Sequence, residues 1–190
     1  KDSCLTMYHD PILWNKQQQL LGEEVRVYMN DSTIDWAHIW NQALSVERID
    51  SVNYNQVSGK EMKAYFDNGE MRRVDVLGSV RLIYYPMEKD STLIGMVNAE
   101  SSELNAFLEN QKLKTVVLKP KTNGVLNPMD QLPPEKMKLD NFGWFDYIRP
   151  LNKQDIFNWR GKKAGQELKK STRGAAPLPN RNLFGNNQKK

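Results

Sequence analysis

Apolar residues recur in the same six places in three stretches of this chain. The stretches are GEEVRVYMNDSTIDWAHI (22–39), GKEMKAYFDNGEMRRVDV (59–76) and SSELNAFLENQKLKTVVL (101–118). In the second, the apolar set is Met62, Ala64, Phe66, Met71, Val74 and Val76. Thirty-seven residues upstream stand Val25, Val27, Met29, Ile34, Ala37 and Ile39, and forty-two downstream stand Leu104, Ala106, Leu108, Leu113, Val116 and Leu118. The first three members of each set are two residues apart, the period of a strand with one buried face. A polar turn follows (Asn30-Asp31, Asn68-Gly69, Asn110-Gln111). Asn-Gly is the strongest hairpin signal of the three, because both residues accept positive φ. Beyond the turn the alternation slips once, between Met71 and Val74, and then resumes, as it would across a β-bulge. Each stretch is therefore predicted to be a hairpin with one apolar face.

A one-sided hairpin cannot bury its face alone, so the copies are predicted to stack side by side into a continuous sheet. Strand-like runs lie between them: LSVERIDSV (44–52), SVRLIYYP (79–86) and TLIGMV (92–97). Helical period is poor throughout, with short helices plausible only in SSELNAFLEN and in 152–168. The expected class is all-β: stacked antiparallel hairpin repeats forming a half-open, twisted sheet stack shaped like a jelly roll or taco. Residues 1–20 read as a lead-in strand, 21–150 as the β-repeat domain, and 151–190 as a basic, mostly disordered tail with a short helix. From about residue 120 the pattern loosens. KPKTNGVLNPMDQLPPEK carries four of the nine prolines, and prolines interrupt ladders. The aromatic cluster FGWFDYIRP (142–150) reads as a cap over the end of the sheet.

Composition agrees with a thin sheet. Hydrophobic residues make up 39% of the chain and mean hydropathy is −0.70, lean for a compact globule. The net charge of +4 is unevenly placed: residues 160–190 hold nine basic residues against Glu167 alone, so the preceding 159 carry −4. Such an end attracts nucleic acid, phosphorylated lipid or an acidic partner, or is simply solvated. Cys4 is the only cysteine, which rules out an intramolecular disulfide and a thiolate metal site. No apolar run is long enough to span a bilayer, and KDSCLTMYHD lacks the apolar core of a signal peptide. A chain that opens on Lys1 rather than Met is expected to be processed or trimmed, with any export signal already missing.

Catalytic chemistry is hard to find. His9 and His38 stand alone, without HxxxH or HExxH spacing or an assignable Ser or Cys partner. His38 has outward parity in its strand, so a surface histidine is the expectation. The carboxylates of DNGE (67–70) read as a hairpin tip rather than an acid/base pair. There is no GxGxxG and no phosphate loop, and the basic end lacks the aromatic-and-basic surface of a folded nucleic-acid module. Neither an enzyme, a cofactor, a metal nor a nucleic-acid partner is expected. What remains is the apolar face, which forms either a plain core or a groove for something elongated and apolar.

The repeated form seen best from Gly59 to Val80, G-x-x-[apolar]-x-[apolar]-[YF]-x-[DN], then [apolar]-x-x-[apolar]-x-[apolar]-x-G-x-V, resembles the OstA-like/LptA family of lipopolysaccharide transport proteins of Gram-negative bacteria. YMNDSTIDWAHIWNQALSV and ESSELNAFLENQKLKTVVLKPKTNGVLNPM look like the same family, and the resemblance covers roughly residues 20–150. It implies a periplasmic protein, associated with the outer membrane and its assembly. Such a protein carries lipopolysaccharide or a related lipid with acyl chains against the apolar inside of the fold. Edge strands would pair with other lipopolysaccharide-transport proteins or with further copies, end to end. By strand parity the lipid-facing set is Val25, Val27, Met29, Ile34, Met62, Ala64, Phe66, Val74, Val76, Leu104, Ala106, Leu108, Val116 and Leu118, with Arg72 or Arg73 at the rim meeting head-group phosphates. Two features depart from the family pattern: the non-repeating region 128–160 with its basic end, and Asn41 standing where the second copy has Gly78. The rival reading is a non-catalytic envelope scaffold that fills the groove with its own side chains and binds protein partners through its edges.

Overall fold

The computed structural model describes residues 3–31, 33–110, 112–158 and 160–161. These form ten strands and no α-helix: β1 (Ser3–Tyr8), β2 (Ile12–Asn15), β3 (Gln18–Leu21), β4 (Glu24–Met29), β5 (Ile34–Arg48), β6 (Tyr54–Asp67), β7 (Glu70–Tyr84), β8 (Gly95–Glu109), β9 (Lys112–Lys119) and β10 (Asn123–Pro128). All pair antiparallel in one open sheet, in the order β1-β4-β5-β6-β7-β8-β10, with β2 on β3, β3 on β5 and β9 on β8. The all-β class and the hairpin stack follow the sequence pattern. Residues 3–21 do not form a single lead-in strand. They belong to the same meander, because β1 continues into β2 along the edge and β3 continues into β4.

Both irregularities of the repeat fall on equivalent residues. Near the hairpin tips one strand carries a single extra residue: Asp35 opposite Tyr28–Met29, Arg72 opposite Tyr65–Phe66 and Lys114 opposite Phe107–Leu108. These are bulges, and the slip between Met71 and Val74 is one of them. A second row crosses the middle of the sheet. There the chain enters the left-handed region at His9-Asp10 (φ 64° and 55°), Asn41-Gln42 (53° and 53°), Gly78-Ser79 (79° and 49°) and, after Pro120, at Lys121 (57°). Asn41 thus adopts the conformation that its counterpart Gly78 adopts, and β5 keeps its pairing to β6 on either side. Non-glycine residues in this region cost of order 1 kcal/mol each. The ladders on both sides hold them there.

This second row divides the sheet into a tip half (β1, β4, β9 and the adjoining parts of β5–β8) and a base half (β2, β3, β10 and the remainder). Met71 and Tyr84 of β7 would be roughly 40 Å apart along a straight strand, yet both line one cavity. The sheet is therefore folded over along the row, with the two halves facing each other and without closing into a barrel. At the fold the strands approach closely: a Cβ on Gly59 would lie 2.5 Å from Val76 Cγ1 and 3.0 Å from the Leu77 carbonyl.

The back of the base half is covered by the segment after β10. Its 3₁₀ turns, Met129–Gln131, Pro134–Lys136 and Asp146–Ile148, carry Met129, Leu132 and Met137 onto Ile83, Tyr85 and Met96. Leu139, Phe142, Trp144 and Phe145 pack onto Leu21, Leu44 and Val46. The aromatic cluster expected to cap the end of the sheet covers its face instead. It is held by amide side chains at repeat-equivalent positions. Gln19, fully buried, donates from Nε2 to the Gly143 carbonyl and accepts from the Phe145 amide at 3.0 Å. Thirty-seven residues later Gln56, also fully buried, donates to the Met137 carbonyl and accepts from the Leu139 amide, both at 2.9 Å. Each side chain thus completes the hydrogen bonding of an extended segment, as a neighbouring strand would. The third equivalent, Asn98, donates to the Lys136 carbonyl at 3.4 Å, and its buried Oδ1 has no partner. Asparagine is one methylene shorter, and Lys136 lies in the 3₁₀ turn Pro134–Lys136 rather than in an extended segment.

Among the described residues, no such segment covers the back of the tip half. Its side chains cover one another: Tyr28 stacks on Trp36 at 3.9 Å, Lys63 Nζ lies 5.2 Å from the Trp36 ring, and Arg73 sits between Tyr65 (5.6 Å) and Phe107 (5.7 Å). The ring faces are occupied by neighbours on adjoining strands, and cross-strand pairs of this kind add stability to a sheet.

Candidate functional site

The space between the two halves is the candidate site. Val25, Val27, Met62, Ala64, Val76, Leu104 and Ala106 are buried in one cluster there, and Phe66, Val74, Leu108, Val116 and Leu118 are packed against it half-exposed. These twelve of the residues singled out by parity share one surface because strand side chains alternate and the tip bulges shift each return strand back into phase. Met29 and Ile34, paired with each other at the first hairpin tip, stand outside the cluster at 40% and 38% exposure. The site holds a cavity of about 150 Å³. Its upper wall is apolar: Met62, Met71, Val74, Val76, Leu104, Ala106, Leu108, Leu113 and Val116.

The lower wall comes from the base half and is mixed. Val57 and Leu82 continue the apolar surface, whereas Gln18, Ser45, Glu47, Asn55 and Tyr84 make a polar rim. Gln18 Nε2 donates to Ser45 Oγ at 3.0 Å and Asn55 Nδ2 to Glu47 Oε2 at 3.0 Å. Burial and the neighbouring Glu47 carboxylate raise the Tyr84 phenol above its ordinary value, so it stays a neutral donor at physiological pH. Beyond the rim a second space of about 280 Å³ opens between the β2–β3 turn and the β6–β7 tip, sharing Gln18, Glu47, Met71 and Leu108 with the first. The result is a trough with a greasy roof, a polar lip and an open mouth.

Neither of the arginines expected at the rim lines the trough. Arg73 lies on the outer face, where its guanidinium is between two rings and its Nε donates to Asp75 Oδ1 at 2.7 Å. Arg72 is the bulged residue and pairs with Glu70 at 3.1 Å. His38 also points outward, with Nε2 3.1 Å from Glu61 Oε2. Burial holds its pKa below the ordinary value despite that carboxylate, with Lys63 and Arg26 acting in the same direction. No group of three or more potential metal ligands occurs among the described residues.

Parity reading missed the whole lower wall. On β7 the inward residues Val80, Leu82 and Tyr84 continue the parity of Val74 and Val76, so the signal existed. It was hidden because outward Ile83 and Tyr85 are also apolar, being covered from behind. A run apolar at both parities carries no facing information. On β6 the inward set moves from even (Met62, Ala64) to odd (Val57), at Gly59-Lys60, where no apolar pattern marks the change. No family model, curated protein or solved structure matches this chain.

Proposed function

We propose that this protein binds and carries an amphiphile with fatty chains, lipopolysaccharide or a related lipid, with acyl chains between the two half-sheets, in the periplasm during outer-membrane assembly. The supporting observation is the trough itself: one wall wholly apolar, a polar hydrogen-bonding lip, and an opening at one side. Drug-sized ligand sites occupy about 300–1,000 Å³, and the inner space is half the lower bound. It suits the end of a chain rather than a head group, and longer chains enter by parting the half-sheets at the mouth. The resemblance to OstA-like proteins, carried by the three hairpins, points the same way. Catalysis plays no part in this reading.

The test is a photo-crosslinking amino acid placed in turn at Phe66, on the trough, and at Tyr65, on the outer face, with purified lipopolysaccharide as the probe. Labelling at position 66 and not at 65 is the expected result. A folded protein that labels at neither position and self-associates would replace transport with the scaffold reading. That reading rests on the edges at β1 and β10, which pair on one side alone among the described residues and where Leu5, Tyr8, Val125 and Leu126 are exposed. Such edges are templates for strand addition.

A further inference from the structure

After Arg149 the chain turns away from the sheet and makes a small closed loop. Arg149 marks the departure, donating from Nη1 to the Lys16 carbonyl of the β2–β3 turn at 2.6 Å. The loop is built on Asp155. Its carboxylate receives both guanidinium nitrogens of Arg160, at 2.7 and 2.6 Å, and also the Leu151 amide at 2.8 Å and Asn158 Nδ2 at 3.1 Å. Asn152 Oδ1 accepts the amides of Gln154 and Asp155, both at 3.0 Å. These partners, Arg160 foremost, pull the Asp155 carboxyl well below the usual carboxylate range. A bidentate guanidinium pair is the geometrically specific form of such a contact.

What this clamp presents is apolar. Leu151 is 85% exposed, Ile156 67% and Phe157 88%, all within seven residues. Scattered exposed apolar side chains need no explanation, but a cluster on an ordered loop marks a contact surface. The charge around it is one-sided. Residues 149–190 contain eleven basic residues and two acidic ones, Asp155 and Glu167, and Arg160 neutralises the first. The other 148 residues carry 16 basic and 21 acidic residues, so the body is net negative and this end strongly positive. Protruding apolar residues flanked by a polybasic segment are a two-part anchor for a bilayer surface: the apolar groups enter the head-group region while the cations meet anionic lipid.

We propose that the Asp155–Arg160 loop docks on an anionic lipid bilayer, inserting Leu151, Ile156 and Phe157 while the net positive charge of residues 149–190 supplies the attraction. The site is separate from the trough, and its occupant is a membrane rather than a single carried molecule. The experiment is co-sedimentation of the full chain with sucrose-loaded vesicles. One set contains one part phosphatidylglycerol to two parts phosphatidylcholine, and the other phosphatidylcholine alone. The wild-type chain is expected to pellet with the anionic vesicles and not with the neutral ones. The triple variant L151S/I156S/F157S leaves Asp155 and Arg160 in place and keeps the melting curve, since the three side chains are largely exposed. Its partitioning should fall by roughly tenfold or more. Three outcomes overturn the proposal. A wild-type chain that stays in solution removes the membrane as occupant. Equal pelleting with neutral vesicles removes the electrostatic half, and undiminished pelleting of the triple variant shows attraction by charge alone, without insertion.

Discussion

The same strands build both halves of the folded sheet, but the halves are covered differently. Among the described residues, the tip half has a covering segment on its inner face alone, and its outer face is finished by stacked rings and paired charges. Apart from its edge strand β10, the base half is covered on both faces, by the tip half in front and by residues 129–148 behind. Burial on two sides is tighter, so the base half is expected to resist unfolding longest and the tip half to yield first. The tip half, with its half-exposed trough lining, is also the half that must move if a chain is to enter.

The largest expected contrast is between two phenylalanines on the backs of the two halves. Phe145, 2% exposed behind the base half, should cost about 3–5 kcal/mol when changed to alanine. Phe107, on the outer face of the tip half with one ring face on Arg73, should cost about 1 kcal/mol. Urea denaturation of both variants measures the difference, and equal losses would mean that the cover behind the base half contributes little. A narrower contrast lies within the cover. Gln56→Leu strands the Met137 carbonyl and Leu139 amide and should cost about 2–4 kcal/mol. Asn98→Leu removes one long hydrogen bond together with an acceptor already unpaired, so it should stay within about 0.5 kcal/mol of wild type. An Asn98 variant as damaging as the Gln56 one would show the third amide to be as fully engaged as the others.

The smallest effect concerns pH and the tip half. His38 has a folded pKa below its ordinary 6.5, so the unfolded chain takes up the proton first as pH falls. Stability contributed by neutral His38 is complete above about 6.5, declines as pH drops below that value, and levels off below the folded pKa. The urea midpoint of the wild type should fall over that interval, and His38→Gln should lose that part of the fall. An unchanged slope in the variant would assign the dependence to other groups.

How much of this was legible in the sequence follows from the same contrast. The tip half announced itself because one face meets apolar groups and the other meets water, which writes a period of two into the residues. Even its bulge, at Arg72, was visible as a slip in phase. The base half was not legible in this way. Leu44 and Val46 face the cover while Ala43 and Ser45 face the trough, so small, polar and apolar residues occur at both parities. The fold line was written in Gly22, Gly59 and Gly78, since Asn41, Gln42 and Lys121 give little notice of a left-handed backbone. The amide clamps were hidden for a different reason. Gln19 and Gln56 read as ordinary polar residues until the backbone they bind is in view. Of the basic tail expected from residue 151, with a short helix in 152–168, the described part shows a 3₁₀ turn at Asp155–Phe157, and residues 162–190 lie outside the described residues.

Each hairpin carries its own left-handed residues at the fold line, in β5 and in β7, so the shape of the trough is decided hairpin by hairpin. A closed barrel that gains a strand must change its radius and tilt. Here a duplicated hairpin of about 37 residues would bring its own left-handed pair and its own tip bulge, and would widen the sheet by two strand spacings, roughly 10 Å, without disturbing its neighbours. Length is therefore a quantity that gene duplication can tune freely in such a protein, and the distance it reaches need not be the same from one descendant to the next.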